Sequence, residues 1–120
     1  MGVKLRVQWK RSRVMSQLES QFIHLGRHLE ALISLLEEAD EQFWVPYFRR
    51  GLDQVQQNKL AGATFTLGCY GGVDTFSDLV IGRGWERSDP PRYRTLNARL
   101  SELRNRIFDA ANAITSRRAW

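Results

Sequence analysis

The sequence predicts an all-α protein: a helical bundle of three long helices with a short glycine-turn insert before the last helix. Two apolar stripes carry the prediction, since in each the residues recur at spacings of 4, 3, 4, 3 and 4, the repeat of one helix face. The first stripe consists of Leu18, Phe22, Leu25, Leu29, Leu32 and Leu36, and the second of Leu96, Leu100, Leu103, Ile107, Ala110 and Ile114. Such faces must be buried, so the simplest structure packs both helices against a third, with the glycine-rich segment covering one end.

Length and composition indicate one soluble domain. The chain has 120 residues, enough for a single hydrophobic core, and 42% apolar with 26% charged residues is ordinary for a globular protein. No run approaches the roughly 18 apolar residues that span a bilayer, and the N-terminus lacks the apolar core of a signal peptide, so we expect a cytoplasmic protein that does not bind membranes. The single Cys69 cannot form an intramolecular disulfide.

The positive charge is concentrated at the N-terminus. Residues 1–14 carry five basic and no acidic side chains, whereas the rest of the chain has 13 of each. The sequence therefore predicts a flexible basic arm at residues 1–14 and a single helical domain at residues 15–120. Nucleic-acid-binding modules usually carry their basic charge on the folded unit. A nucleic-acid-associated protein that uses the arm is therefore the second hypothesis, and nucleic acid is not the partner we expect.

The first helix is predicted to begin at Ser16, which forms a capping box with Glu19. His24 and His28 follow within this helix, four residues apart, the spacing at which two imidazoles can reach one metal ion. No third ligand is evident nearby. We therefore expect the two histidines to make surface contacts, and we expect no metal or other cofactor.

A second helix is predicted to run to about Gln57, with Asp40 as a possible cap. Pro46 fits only the first turn because it has no amide hydrogen, so the helix begins near Phe43 or Trp44. Aromatic residues at helical spacing are more typical of a core than of a ligand site. The inner face is predicted to consist of Trp44, Phe48, Leu52 and Val55.

The segment between the second helix and the last one contains the insert. Residues 63–70 are compatible with a short helix or a strand, and the glycines that follow favour the helix. Gly71 and Gly72 permit positive φ and are predicted to form a structural turn. Thr75 and Asp78 have the spacing of a capping box. The apolar residues that follow are predicted to anchor the segment on the bundle as a single helical turn leading into an extended piece; they are Phe76, Leu79, Val80 and Ile81. Pro90 and its neighbour then lead into a last helix at about residues 92–116.

The residues around this turn decide between the function classes. Asp74 and Asp78 could share a cation in a small metal-dependent hydrolase, the third hypothesis, but capping explains them more simply and we predict no catalytic residues. A small helical domain with one structured loop is suited to binding a protein partner. The predicted partner-binding surface consists of Val73, Asp74, Thr75, Ser77, Asp78, Arg83, Trp85 and Arg87. Trp85 could equally fold back onto the core, and two leucine stripes leave a homodimer open.

Residues 70–81, YGGVDTFSDLVI, together with Asn97 and the helix at residues 100–104, carry a resemblance to an uncharacterised family of small bacterial proteins. That family has an aromatic-Gly-Gly-Met-Gly-Ser-apolar-Asn-Asp-Leu type signature between a Trp-bearing helix and a C-terminal helix. The matching positions are Trp44, Gly71, Gly72, Asp78 and Leu79, while Val73, Asp74, Thr75 and Ser77 replace the family's residues. Small helical proteins of this kind are often suspected to be immunity proteins. The resemblance therefore implies a non-enzymatic domain that binds and blocks a cognate toxin.

Overall fold

The computed structural model describes the backbone of residues 2–71 and 75–117, and the side chains in these ranges from residue 17 onward. This part of the chain is all-α. It contains the helices α1 (Gly2–Glu38), α2 (Val45–Gln56), α3 (Leu60–Leu67) and α4 (Pro90–Thr115), and two 3₁₀ turns at Phe76–Asp78 and Arg83–Trp85. The all-α prediction is confirmed. The finer prediction of three long helices with one glycine-turn insert is wrong, because a fourth α-helix and two 3₁₀ turns lie between α2 and α4.

The four helices form a closed ring in which α1 packs on α2 and α4, and α3 packs on α2 and α4. Both predicted stripes face the centre of this ring: five of the six residues in each are buried, while Leu18 and Ala110 are half-buried. The helices α1 and α4 run antiparallel. Arg117, just after α4, donates a hydrogen bond to Gln21 in the middle of α1 at 2.9 Å, and Leu96 near the start of α4 lines the same cavity as Leu35 near the end of α1. The core therefore runs along the α1 and α4 stripes.

The helix α3 resolves the ambiguity that the sequence leaves at residues 63–70. It packs so closely on α2 that a Cβ on Gly62 would lie 2.7 Å from the backbone nitrogen of Val55. Within α3 the buried Thr66 hydroxyl donates to the Gly62 carbonyl at 2.8 Å, which satisfies it without a partner outside the helix. β-Branched Thr66 is thereby accommodated in a helix despite its strand propensity.

The two ends of α1 differ from the prediction. The helix begins at Gly2 and passes through Ser16, so the predicted capping box does not start it. Whether residues 1–14 are flexible stays a prediction. At the other end Asp40 adopts a left-handed φ of 58°, and Glu41 N–H donates to the Leu36 carbonyl at 2.8 Å while Asp40 N–H donates to Glu37 at 3.1 Å. These are the two bonds of a Schellman motif, so Asp40 ends α1 instead of capping α2.

The later elements follow the sequence more closely. Pro46 lies in the first turn of α2, and Asp89 caps α4 by accepting a hydrogen bond from Arg92 N–H at 3.2 Å. The turn Phe76–Asp78 leads into an extended Leu79, with φ −66° and ψ 134°. The predicted single turn and extended piece are confirmed, and together with Gly82 they make up what we call the 75–82 segment.

Candidate functional site

An open cavity of about 590 Å³, which we call the loop groove, lies where α1 ends. One wall is the 39–44 loop, which connects α1 to α2, and the other is the 75–82 segment continued by Arg83. The first wall contributes Ala39, Asp40, Glu41, Phe43 and Trp44, and the second contributes Thr75, Asp78, Leu79, Val80, Ile81, Gly82 and Arg83. Three predicted binding residues, Thr75, Asp78 and Arg83, are thus brought together with a loop that the sequence did not associate with them.

The 39–44 loop holds an aromatic side chain out in solvent. The Schellman motif at Asp40 fixes its start, and the Glu41 carboxylate then accepts a hydrogen bond from Phe43 N–H at 3.0 Å. Phe43 is 79% exposed, the largest exposed fraction among the large apolar side chains of the described residues. Its ring meets Trp44 edge-on with centroids 5.5 Å apart, and Trp44 packs in turn on the buried Phe76 at 5.7 Å. The exposed Phe43 ring is therefore supported by Trp44, which is itself packed on the core.

The 75–82 segment is held by side chains of α4. Asn97 accepts from Ile81 N–H at 3.0 Å through Oδ1, and donates to the Ile81 carbonyl at 2.8 Å and the Tyr93 carbonyl at 2.9 Å through Nδ2. Seven residues along α4, Arg104 donates to the Leu79 carbonyl at 2.8 Å. An extended segment has no hydrogen bonds of its own, so these bonds replace the ones that water would supply. This wall is consequently fixed by tertiary contacts.

Arg104 joins the 75–82 segment to the core. Its guanidinium lies 5.3 Å from the centre of the Phe76 ring, and its backbone carbonyl accepts a hydrogen bond from the Tyr70 hydroxyl at 2.7 Å. Burial lowers the pKa of Arg104 and raises that of Tyr70 above its ordinary value, because each charged form is poorly solvated there. Arg104 and Tyr70 are both half-buried and make a structural contact behind the 75–82 segment.

The charge of the loop groove is opposite in sign to that of the whole chain. Asp40, Glu41 and Asp78 contribute three carboxylates to its lining, and Arg83 contributes the one basic side chain. The chain as a whole has a formal net charge of +5. A ligand that is attracted by the groove would therefore be cationic, although the protein as a whole attracts anions.

The remaining predicted residues lie elsewhere. Ser77 is half-buried in the first 3₁₀ turn, and Arg87 is exposed in the turn before α4. Trp85 is half-buried against the core, and the Arg92 guanidinium covers its ring at 4.0 Å. The alternative in which Trp85 folds back onto the core is thus the observed one. Gly71 has a φ of 124°, in keeping with its predicted turn.

Three predicted site residues, Gly72, Val73 and Asp74, lie outside the described residues. The structure also adds residues that the sequence reasoning missed, namely Asp40, Glu41, Phe43, Asn97 and Arg104. The signals for some of them were present. Phe43 is an apolar residue just outside the predicted inner face of α2, and Asn97 is a polar residue directly beside a stripe residue of α4.

A second cavity, of about 390 Å³, lies between α1 and α4 and is lined by His24, His28, Arg106, Asp109 and Ala110; we call it the histidine cavity. The two Nε2 atoms of the histidines are 3.2 Å apart. Burial lowers the pKa of His28, and the nearby His24 and Arg106 lower it further. No group of three or more His, Cys, Asp or Glu side chains placed to hold a metal ion is found among the residues that the structure describes.

Cys69 lies at the end of α3 and is buried. Its thiol donates to the Thr66 carbonyl at 3.2 Å, and burial raises its pKa to about 12. A thiol with this pKa is not a nucleophile at neutral pH. Neither Cys69 nor a histidine contributes to the lining of the loop groove.

Comparison of the chain with protein-family models, with curated proteins and with solved structures finds no match. Within the described ranges, no helix combines the length and the apolar character needed to cross a membrane.

Proposed function

We propose that this chain is a non-enzymatic protein-binding domain that holds its partner at the loop groove. In its sharpest form, the proposal is a bacterial immunity-type protein that binds and blocks a cognate toxin in the cytoplasm. The observation that carries the proposal is Phe43, 79% exposed at the edge of a groove with three carboxylates. Burying a phenylalanine side chain stabilises a complex by about 1.5–3 kcal/mol. Because folding leaves Phe43 in water, a partner that covers the ring would obtain this burial free energy on binding.

The charges of the groove indicate what the partner presents there. Asp40 and Glu41 precede Phe43 on the loop, and Asp78 lies on the opposite wall. Arg83 is the basic residue of the lining, and Arg104 behind that wall interacts electrostatically with Asp78. A segment with an apolar side chain and two or more lysine or arginine residues complements this arrangement. Charge complementarity of this kind raises association rates and selects partners more than it adds affinity.

The support of the groove favours binding without rearrangement. Asn97 and Arg104 fix the 75–82 segment, and the Schellman motif fixes the start of the 39–44 loop. A binding surface that is ordered before contact loses less conformational entropy when the partner arrives. Both walls therefore present their side chains in a defined geometry.

The proposal is non-enzymatic because the reactive groups of the chain are kept away from the groove. His24 and His28 line a different cavity, and the Cys69 thiol is buried and protonated at neutral pH. The groove lining around Asp78 includes no imidazole or thiol, and Asp78 interacts electrostatically with Arg104. This environment suits the recognition of a cation better than proton transfer.

The first experiment identifies what touches Phe43. The photo-crosslinking amino acid p-benzoylphenylalanine replaces Phe43 in the full chain, which is produced in the organism that encodes it and irradiated. The matched control carries the same replacement at Phe108, an exposed aromatic residue on α4. We expect one protein of a single size to be crosslinked from position 43 and not from position 108. Equal crosslinking from both positions, or capture of nuclease-sensitive material alone, would contradict the proposal.

The second experiment measures the complex with the purified partner. Asp40→Asn together with Glu41→Gln removes two charges but keeps the left-handed Asp40 backbone and the acceptor for Phe43 N–H. Glu30→Gln together with Glu38→Gln makes the same charge change on exposed residues of α1 outside the groove. We expect the first pair to slow association and reduce its salt dependence, and the second to leave both near wild type. Equal effects of the two pairs would show that only net charge matters.

The immunity form of the proposal has its own test. If the captured partner arrests growth when produced alone, co-production of the wild-type chain should restore growth and Phe43→Ala should not. A partner that does not arrest growth by itself would contradict the immunity form of the proposal, but not the proposal that the loop groove binds a protein. Binding that depends steeply on salt and is lost on deleting residues 1–14 would instead favour the nucleic-acid hypothesis.

A further inference from the structure

We propose that His24 and His28 bind a divalent transition-metal ion of the Cu²⁺, Ni²⁺ and Zn²⁺ class in the histidine cavity. The sequence supplies the spacing, but a spacing of four residues only permits the two rings to meet. The structure adds two observations: the two rings meet through a hydrogen bond between their Nε2 atoms, and both histidines line a cavity that is also lined by Asp109 of α4. This site is separate from the loop groove, and the inference does not rest on the proposed function.

The distance between the two nitrogen atoms fits a shared ion. Imidazole nitrogens bind Zn²⁺ at about 2.0–2.1 Å, so two of them on one tetrahedral ion lie about 3.3 Å apart and at a right angle about 2.9 Å apart. The observed separation of 3.2 Å falls between these values. Both residues belong to α1, whose backbone holds them on adjacent turns. An ion between the two nitrogen atoms would replace the hydrogen bond that one imidazole donates to the other.

The charges around the pair set the strength of the site. Arg106 opposes a cation in the same cavity, although its guanidinium is already paired with Glu102 at 2.5 Å. Asp109 contributes a negative charge from α4. In the part of the chain that the structure describes, no third ligating side chain is in place, so water would occupy the remaining coordination positions. We infer a weak, exchangeable site.

The ligand type sets the selectivity. Neutral imidazole favours copper, nickel and zinc, whereas Mg²⁺ and Ca²⁺ require oxygen ligands. For a site of two imidazoles with free geometry, the affinity should follow the general order in which Cu²⁺ exceeds both Ni²⁺ and Zn²⁺. A response to Mg²⁺ of similar strength would therefore point to another site.

The test is calorimetric titration of the full chain, freed of any affinity tag and of bound metal, with Cu²⁺, Ni²⁺, Zn²⁺ and Mg²⁺ salts in separate runs. We expect one ion per chain for the first three and none for Mg²⁺. His24→Gln and His28→Gln should each weaken binding at least tenfold, while Glu30→Gln, an exposed change on the same helix, should leave it unchanged. His24 is exposed, so its variant should remain folded even if His28→Gln does not. Binding that survives both histidine substitutions would overturn the proposal.

Arg106→Gln distinguishes the proposed site from chelation elsewhere on the chain. Removing this charge should tighten binding of all three transition-metal ions by about threefold to tenfold, since an exposed like charge in the same cavity disfavours the bound ion by a modest amount. Asp109→Asn should change the affinity in the opposite direction. If neither substitution alters the affinity, the ion is not in the histidine cavity and the proposal fails.

Discussion

The two walls of the loop groove are built in different ways. The 75–82 segment consists of one 3₁₀ turn and an extended piece, and Asn97 and Arg104 of α4 hold it in place. The 39–44 loop is held by its own backbone and by the Glu41 carboxylate, and it leaves Phe43 in water. The first wall is therefore coupled to global stability. In the second wall Trp44 also packs on the core, but the exposed Phe43 can vary without affecting it. Substitutions on the two walls should separate stability from binding.

The largest effect on stability is expected for Phe76→Ala. Phe76 is fully buried, and the rings of Trp44, Phe48 and Tyr70 surround it at centroid distances of 5.7, 4.7 and 5.6 Å. Loss of a buried phenylalanine costs about 3–5 kcal/mol of unfolding free energy. Urea denaturation followed by circular dichroism measures this, with Phe108→Ala as the partly exposed control, expected below about 1 kcal/mol. Similar values for the two variants would mean that the 75–82 segment is not packed on the core.

A smaller loss is expected for Asn97→Ala, which removes the side chain that satisfies both backbone groups of Ile81. Leaving a buried polar group without a partner costs about 1–3 kcal/mol, so we expect a loss of about 2 kcal/mol. Asn105→Ala is the matched control, since Asn105 is exposed on the same helix. It should be neutral or slightly stabilising because alanine is the better helix former. Hydrogen exchange at Ile81 N–H should also accelerate in Asn97→Ala alone.

Gly82→Ala should cost about 1–2 kcal/mol, because its left-handed backbone disfavours any side chain. The φ of Gly82 is 68°, and a Cβ there would lie 3.0 Å from Leu96 Cδ1. Gly84, two residues later, has open space around the same position, so Gly84→Ala is the control and should be close to neutral. Equal melting temperatures for the two variants would contradict the conformation of the 75–82 segment.

The alkylation rate of Cys69, which lies between α3 and the 75–82 segment, measures how often this region unfolds locally and exposes the thiol. Because burial raises the pKa of the thiol from 9.0 to about 12, native Cys69 stays protonated at pH 8 and should react with iodoacetamide far more slowly than in urea. The unfolded thiol ionises first as the pH rises, so this group is expected to reduce stability progressively above about pH 9. Asn97→Ala should accelerate alkylation at pH 8. Fast alkylation of the wild type would show that Cys69 is not protected.

The sequence predicts the 75–82 segment better than the 39–44 loop, for a physical reason. The stripes of α1 and α4 follow from a repeat that only a buried helix face satisfies. The turn before Leu79 is where the sequence predicts one, although the predicted Thr75 side-chain cap is not formed and backbone hydrogen bonds close the turn. The 39–44 loop depends on how α1 ends, and Asp40 is compatible with either a helix cap or a left-handed residue. Local sequence does not choose between them, and the choice decides where Phe43 lies.

The pairing of Asn97 with Ile81 was also beyond sequence reasoning. The two residues are 16 positions apart, and their contact requires the register between the 75–82 segment and α4. The same holds for Asp109 and the two histidines, which belong to different helices. Trp85 illustrates the reverse case. In the sequence, a tryptophan with Arg83 and Arg87 nearby resembles an interface hot spot. In the structure, Trp85 packs against the core and Arg92 lies over its ring.

The smallest effect on stability, and the largest on the proposed binding, is expected for Phe43→Ala. A side chain that is 79% exposed loses little on truncation, so the unfolding free energy should change by less than about 0.5 kcal/mol. Affinity for a partner that covers the ring should fall about tenfold or more, as for a buried aromatic anchor. Ile23→Ala, which truncates another exposed apolar side chain on α1, should change neither quantity. If Phe43→Ala unfolds the protein, Phe43 is a structural residue; if Ile23→Ala weakens binding as strongly, the partner lies on α1 and not at the loop groove.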